Sequence, residues 1–385
     1  MSERVIPLVD QRHPSLPLPP IGHSHDLTPL PLDGLRRPLT DLRISVTDRC
    51  NFRCGYCMPR EAFGHDHAFL PQRSLLTFEE IRRVAGIFVK LGVTKIRLTG
   101  GEPLLRRGLD TLIRELATLR TPEGAPVELA MTTNGVLLER MAARLREAGL
   151  HRVTVSLDAL DPARFQAMAD TDVDVKQVLR GIDAAMDAGL GPVKVNMVVQ
   201  KGRNDDQILP MVRYFRHRPV TLRFIEYMDV GQTNGWNLRE VLSWQDIRAL
   251  IHQAHPLEPL DRHDPAATAL RWRFADGHGE LGFIASVTQA FCGDCTRLRL
   301  STEGMLYTCL FAHRGYDLRA LVREQALPDE AVAAHLSGLW RARQDRYSEL
   351  RHQHVPAHHA PAAPTSSTGS TGSTGSRIEM SYIGG

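Results

Sequence analysis

The residues of this chain best suited to chemistry are six cysteines in two separated trios. Cys50, Cys54 and Cys57 lie near the front, Cys292, Cys295 and Cys309 near the back, and none is left over. A C-x-x-x-C-x-x-C run supplies three thiolates from one tight loop, and cysteine thiolates are the ligands that hold iron–sulfur clusters. Three ligands for four irons leave one iron open to bind something else. Disulfides are the first alternative, but they belong to secreted chains, and 385 residues bury a large core without staples. The N-terminal residues include Arg4, Pro7, Asp10 and His13 where an export signal needs an apolar stretch. No run approaches the roughly 20 apolar residues of a membrane span. The expectation is a soluble protein of a reducing compartment, the cytoplasm, with thiols available for metal.

Zinc is the other use for such thiols. Structural zinc wants four closed ligands. At the front no fourth cysteine or histidine comes close before His65, which favours iron–sulfur. At the back His313, four residues after Cys309, leaves zinc open as an alternative. Forty-seven basic against 44 acidic residues give a net charge of +3, too small to imply a nucleic-acid or membrane partner. Aromatic residues make up 6% and do not interleave with basic ones as a base-stacking surface would require. Any anionic ligand must therefore be recognised by a few placed cations.

The elements that position these residues read as short apolar segments alternating with longer amphipathic ones. Strands are expected over 42–47, 95–99, 127–132, 152–157, 193–199 and 221–227, and helices over 77–91, 108–119, 137–148 and 175–188. Thr77 and Glu80 have the spacing of a capping box. Strands alternating with helices imply right-handed βαβ units, an α/β fold with a parallel sheet, which periodicity alone leaves either open or partly closed into a barrel. Ligands then gather at the carboxyl ends of the strands, where the front cysteine loop, Gly100-Gly101-Glu102-Pro103 and Thr132-Thr133-Asn134-Gly135 all fall. The expected division is a Pro-rich extended leader over 1–41, the α/β unit over 42–265 and a smaller unit with the second trio over 266–327. A helix and His-rich segment over 328–364, a flexible Ser/Thr/Gly linker over 365–376 and an ordered tail over 377–385 complete it. Histidines 352, 354, 358 and 359 read as a solvated tail rather than a metal site.

The front loop, with Tyr56 before its last cysteine and the Gly-Gly-Glu-Pro segment after the next strand, resembles the radical S-adenosylmethionine superfamily. The resemblance implies a partial, TIM-like (βα)6 barrel and a 4Fe-4S cluster whose open iron is chelated by S-adenosylmethionine. Tyr56, through its backbone, Gly101, Ser156 and Met228 match positions around that cofactor. One electron passed to the sulfonium would release a hydrogen-abstracting 5'-deoxyadenosyl radical.

More narrowly, the back trio followed by Arg297-Leu298-Arg299, with the terminal Gly384-Gly385, resembles the GTP 3',8-cyclases of molybdenum cofactor biosynthesis. This implies a second 4Fe-4S cluster on Cys292, Cys295 and Cys309 that binds the guanine base. GTP contacts fall at Arg43, Arg97, Thr132, Lys194, Arg297, Leu298 and Arg299, and Gly384 and Gly385 enter the site. The implied reaction takes hydrogen from ribose C3' and joins that carbon to guanine C8, with no catalytic side chain assigned. An external electron donor, a homodimer and delivery of product to cyclic pyranopterin monophosphate synthase are further implications. A radical peptide maturase and an iron–sulfur or zinc electron carrier remain the alternatives.

Overall fold

The computed structural model describes residues 15–16, 18, 31–231, 233–261, 266–354 and 377–383, with the backbone alone at Ser15 and over 352–354. After a two-residue strand β1 (Ser15–Leu16), six strands follow: β2 (Asp41–Ser45), β3 (Lys95–Thr99), β4 (Glu128–Thr133), β5 (Arg152–Ser156), β6 (Val193–Val199) and β7 (Val220–Glu226). They lie side by side in chain order, each parallel to the next. Parallel neighbours need long crossovers. The crossovers are α1 (Phe78–Lys90), α2 (Leu109–Leu116), α3 (Leu138–Glu147), α4 (Pro162–Ala169) with α5 (Val175–Asp187), and α6 (Ile208–Phe215), and α7 (Trp244–Ala254) follows β7. This is the partial (βα)6 barrel. Among the described residues no helix is long and apolar enough to cross a membrane.

Why these residues form these elements is visible in their alternation. In β6 the apolar Val193, Val195 and Met197 are buried against the helices, and Lys194 and Asn196 point into a cavity. The same period of two puts Leu42 and Ile44 outward and Arg43 inward on β2, and Leu222 and Phe224 outward and Arg223 inward on β7. The interior of this barrel is therefore a polar chamber, and the apolar core lies between sheet and helices. At the head of α1, Thr77 N–H donates to Glu80 Oε2 at 2.8 Å and Glu80 N–H to Thr77 Oγ1 at 3.2 Å, the reciprocal pair anticipated from their spacing.

The later chain extends both edges of this one sheet. Beyond β7 come β10 (Glu280–Ile284), parallel to it, then β9 (Leu270–Phe274) and β8 (Leu257–Pro259), both antiparallel. Beyond β2 come β11 (Arg297–Leu300), parallel, then β12 (Met305–Tyr307) and β13 (Gly315–Asp317), antiparallel, with β1 beside β13. The segment between β10 and β11 must cross the open side of the barrel from one edge to the other, and it carries Cys292 and Cys295. Residues 31–40, within the stretch read as a leader, turn back through a bridge between Leu32 and Pro38. Helices α8 (Asp329–Arg341), α9 (Tyr347–His354) and α10 (Met380–Ile383) complete the described chain.

Candidate functional site

A cavity of about 1100 Å³ fills the barrel, and all six cysteines line it. Register fixes where they sit. The front trio follows the carboxyl end of β2, whereas Cys295 lies two residues before β11, whose first residue, Arg297, pairs with Asp41 at the amino end of β2. Cys309 follows β12, which runs antiparallel toward that same end. The two trios thus lie at opposite ends of the strands, with the inward side chains between them.

At the front end, burial decides the chemistry of the thiols. Desolvation pushes Cys50 up to about 11 and Cys54 and Cys57 well above the usual thiol range, so these groups become thiolates only beside compensating positive charge. Three free thiols are a donor set that fits a cluster with one open iron. The glycines beside it answer to the backbone: a Cβ on Gly101 would lie 2.2 Å from Arg49 O, and one on Gly100 2.4 Å from Thr47 O. Gly101 N–H donates to Thr47 O and Glu102 N–H to Arg49 O, both at 2.8 Å, so the turn after β3 is laid against the cysteine loop itself. Glu102 is buried and accepts from Thr133 Oγ1 and Asn134 N–H, each at 2.7 Å, which ties the turns after β3 and β4 together. Burial raises its carboxyl to about 7. Tyr56 donates its hydroxyl to Asp158 Oδ2 at 2.8 Å, and burial lifts Asp158 to about 6. Ser156 and Met228 line the same end.

Between the trios, Arg299, Arg43 and Arg97 stand in register on three adjacent strands. Like charges opposite one another on a sheet are destabilising. Burial first, then the Arg299 guanidinium, draws Arg43 well below its ordinary value, and burial brings Arg299 down to about 10. Arg43 Nε, Arg97 Nε and one terminal nitrogen of Arg299 are buried without a protein partner. Arg97 donates to Thr132 Oγ1 at 3.1 Å. Burial, then Arg223, lowers Lys194 to about 7. Ten cations against six carboxylates line the cavity, and Arg43, Arg97 and Arg299 among them each carry a buried nitrogen without a partner. Such a surface is built for a polyanion.

Most of the site residues read from sequence converge here. Leu298 does not: it alternates away from Arg297 and Arg299 into the apolar core and does not line the cavity. Gly384 and Gly385 lie outside the described residues, as do histidines 358 and 359. Lys95, Arg152 and Arg223 were missed, although each sits at an inward alternate position beside one that was found. Arg343, which also lines the cavity, had no local signal at all.

At the back end, burial pushes the Cys295 thiol up, but Arg297 and Arg343 bring it net down to about 6. Arg297 donates to Cys295 Sγ at 3.2 and 3.1 Å. The histidines that zinc would need, His65 and His313, are both exposed and outside the cavity. Among the described residues no three His, Cys, Asp or Glu side chains converge on a single metal-ion position.

Known proteins match along nearly the whole chain. A radical SAM superfamily model matches residues 44–215, and a Molybdenum Cofactor Synthesis C model matches residues 220–349. A GTP 3',8-cyclase of Acidothermus cellulolyticus is 51% identical over 360 residues, covering 92% of this chain and 98% of that protein. Proteins of the same name from Xanthomonas campestris (49%, covering 85% of this chain and 94% of theirs) and Staphylococcus aureus (44%, covering 92% and 98%) are similar as well. Among solved structures, Streptococcus suis SuiB bound to S-adenosylmethionine superposes with a TM-score of 0.51 at 15% identity, covering 71% of this chain and 61% of that one. At that identity the likeness concerns the fold alone.

Proposed function

This chain belongs to the GTP 3',8-cyclase family of the radical S-adenosylmethionine superfamily, and from that premise we propose that its cavity converts GTP to (8S)-3',8-cyclo-7,8-dihydroguanosine 5'-triphosphate, the first step toward molybdopterin. The observation that carries this reading is a single chamber with a thiol trio at each end and unpartnered guanidinium nitrogens between them. A cation-lined chamber favours a nucleoside triphosphate over a peptide.

Cys50, Cys54 and Cys57 would hold one 4Fe-4S cluster, and Cys292, Cys295 and Cys309 a second. Bound at the front, the cluster and S-adenosylmethionine supply a radical that abstracts hydrogen. The chain's own residues do the rest. Tyr56, Gly101, Ser156 and Met228 shape the front end around S-adenosylmethionine. Arg43, Arg97, Lys194, Arg297 and Arg299 take the triphosphate through paired hydrogen bonds, and Thr132 orients Arg97. Holding base and triphosphate at separate points fixes the ribose–base geometry in which C3' and C8 of the one nucleotide can meet. Met380 lines the cavity four residues before Gly384, which supports entry of the terminal glycines. A homodimer, an external electron donor, a cytoplasmic location and transfer of product to cyclic pyranopterin monophosphate synthase belong to the same proposal.

One hydrogen leaves C3', and one electron and one proton are added after ring closure, so the product is an isomer of GTP. Anaerobic incubation of the reconstituted full chain with GTP, S-adenosylmethionine and reductant should give a chromatographically distinct nucleotide of unchanged mass, with one 5'-deoxyadenosine per product. Cleavage of S-adenosylmethionine with no new GTP isomer would overturn the reading.

A further inference from the structure

The back trio comes from two segments, and each is gripped by a buried arginine. Arg37, from the turn that precedes the barrel, donates to Cys292 O at 2.7 Å. Arg343, just past α8, donates to Cys295 O at 2.7 Å, to Cys295 Sγ at 3.3 Å and to Thr308 O, the residue before Cys309, at 3.1 Å. Both guanidiniums share one carboxylate: Asp33 Oδ2 accepts from Arg37 Nε at 2.6 Å and from Arg343 at 3.3 Å. The side chains of all three residues are at most 2% exposed. Trp340 stacks on Arg343, with 4.6 Å from guanidinium to ring, and donates its indole N–H to Arg37 O at 2.9 Å.

We infer that Asp33, Arg37 and Arg343 form a positioning clamp that gathers the three back cysteines into one ligand set, and that Arg343 sets the reduction potential of the group they hold. The inference rests on the reading of the back trio as a cluster site. Its physical basis is direct. A charged pair with no water around it persists only in a geometry that satisfies its partners; here the two guanidiniums reach the cysteine-loop carbonyls and also Asp345, whose backbone O accepts from Arg37 at 2.9 Å and whose Oδ2 accepts from Arg343 at 3.1 Å, while one terminal nitrogen of Arg37 is buried without a partner. Removing a group that holds a metal ligand in place changes metal affinity by about 10- to 100-fold. A cationic N–H on a ligating sulfur favours the reduced cluster. Asp33 thereby makes the segment before the barrel part of the site.

The test uses the full chain with Cys50, Cys54 and Cys57 all changed to Ala, so that only the back trio can hold iron. After anaerobic reconstitution, iron release to a chelator and the midpoint potential are measured for this parent and for Asp33→Asn and Arg343→Gln made in it. Iron should leave both variants roughly tenfold or more faster, and Arg343→Gln should also shift the midpoint to a more negative value. Should Arg343→Gln fail to fold, the near-isosteric Asp33→Asn carries the release test on the same terms. Parental release from folded variants, with an unchanged midpoint, overturns the clamp alone. A parent that retains no iron overturns the two-cluster reading, and the clamp with it.

Discussion

At the scale of single residues, the site is a balance of burial against charge. Lys194 makes the clearest case. Burial, with Arg223 next, lowers its pKa to about 7, and burial likewise brings Lys95 down to about 8 against the opposing pull of Asp41. Above pH 7 the empty site therefore sheds the Lys194 proton, and an entering triphosphate favours the ammonium form. Binding must then take up a proton, and affinity must fall as pH rises from 7 to 9. GTP binding at pH 8 should show different calorimetric enthalpies in buffers of different ionisation heat, and Lys194→Met should remove most of that difference; equal enthalpies in the unaltered protein would contradict the account. The cysteines were legible because their chemistry follows from local spacing. Arg43, Arg97 and Lys194 were legible through the family resemblance, whereas Lys95, on the same strand as Arg97, was not. Asp33, Arg37 and Arg343 were not, because their meaning arises from contacts across about 300 residues that no local pattern records.

At the scale of elements, two turns are held together by backbone contact that only glycine permits. Gly101→Ala would press its Cβ against Arg49 O, so the turn after β3 must separate from the cysteine loop. The expected cost is about 1–3 kcal/mol of stability, with weaker retention of the front cluster. A Cβ on Gly55 meets nothing within 4 Å, and Gly55→Ala should stay within roughly 0.5 kcal/mol. Thermal unfolding of the two variants separates these outcomes, and equal midpoints would refute the packing argument. The six barrel strands could be read to within two residues from short apolar segments alternating with longer amphipathic ones, and α1 from its capping pair. The short strands after residue 256 were harder, since nothing in a three- to five-residue run says which edge of a sheet it joins. Gly101 itself was expected to admit a ligand, and the structure shows it admitting the chain's own backbone.

At the scale of the whole molecule, one sheet makes a chamber, the β10–β11 segment spans its open side, and the C-terminal tail docks against it. Arg377 donates to Asp229 Oδ2 at 2.9 Å and to Asp229 O at 2.7 Å, while Ile378, Tyr382 and Ile383 join a small apolar cluster with Leu70, Leu75, Met305 and Tyr307. Asp229 also accepts from Tyr347 and Arg351, so Arg377→Ala leaves it partnered and the fold standing. Tail docking should weaken by about 1–3 kcal/mol, seen as cleavage within residues 377–383 by a limiting protease becoming roughly fivefold or more faster; an unchanged rate would mean that the apolar contacts alone hold the tail. The central claim is that one chamber holds two inorganic centres. Iron, sulfide and zinc should be counted in anaerobically reconstituted full chain beside Cys309→Ala. The account predicts roughly eight irons and eight sulfides per chain in the first and about half of each in the second. Tightly held zinc with no iron or sulfide, or equal iron in both proteins, would contradict it.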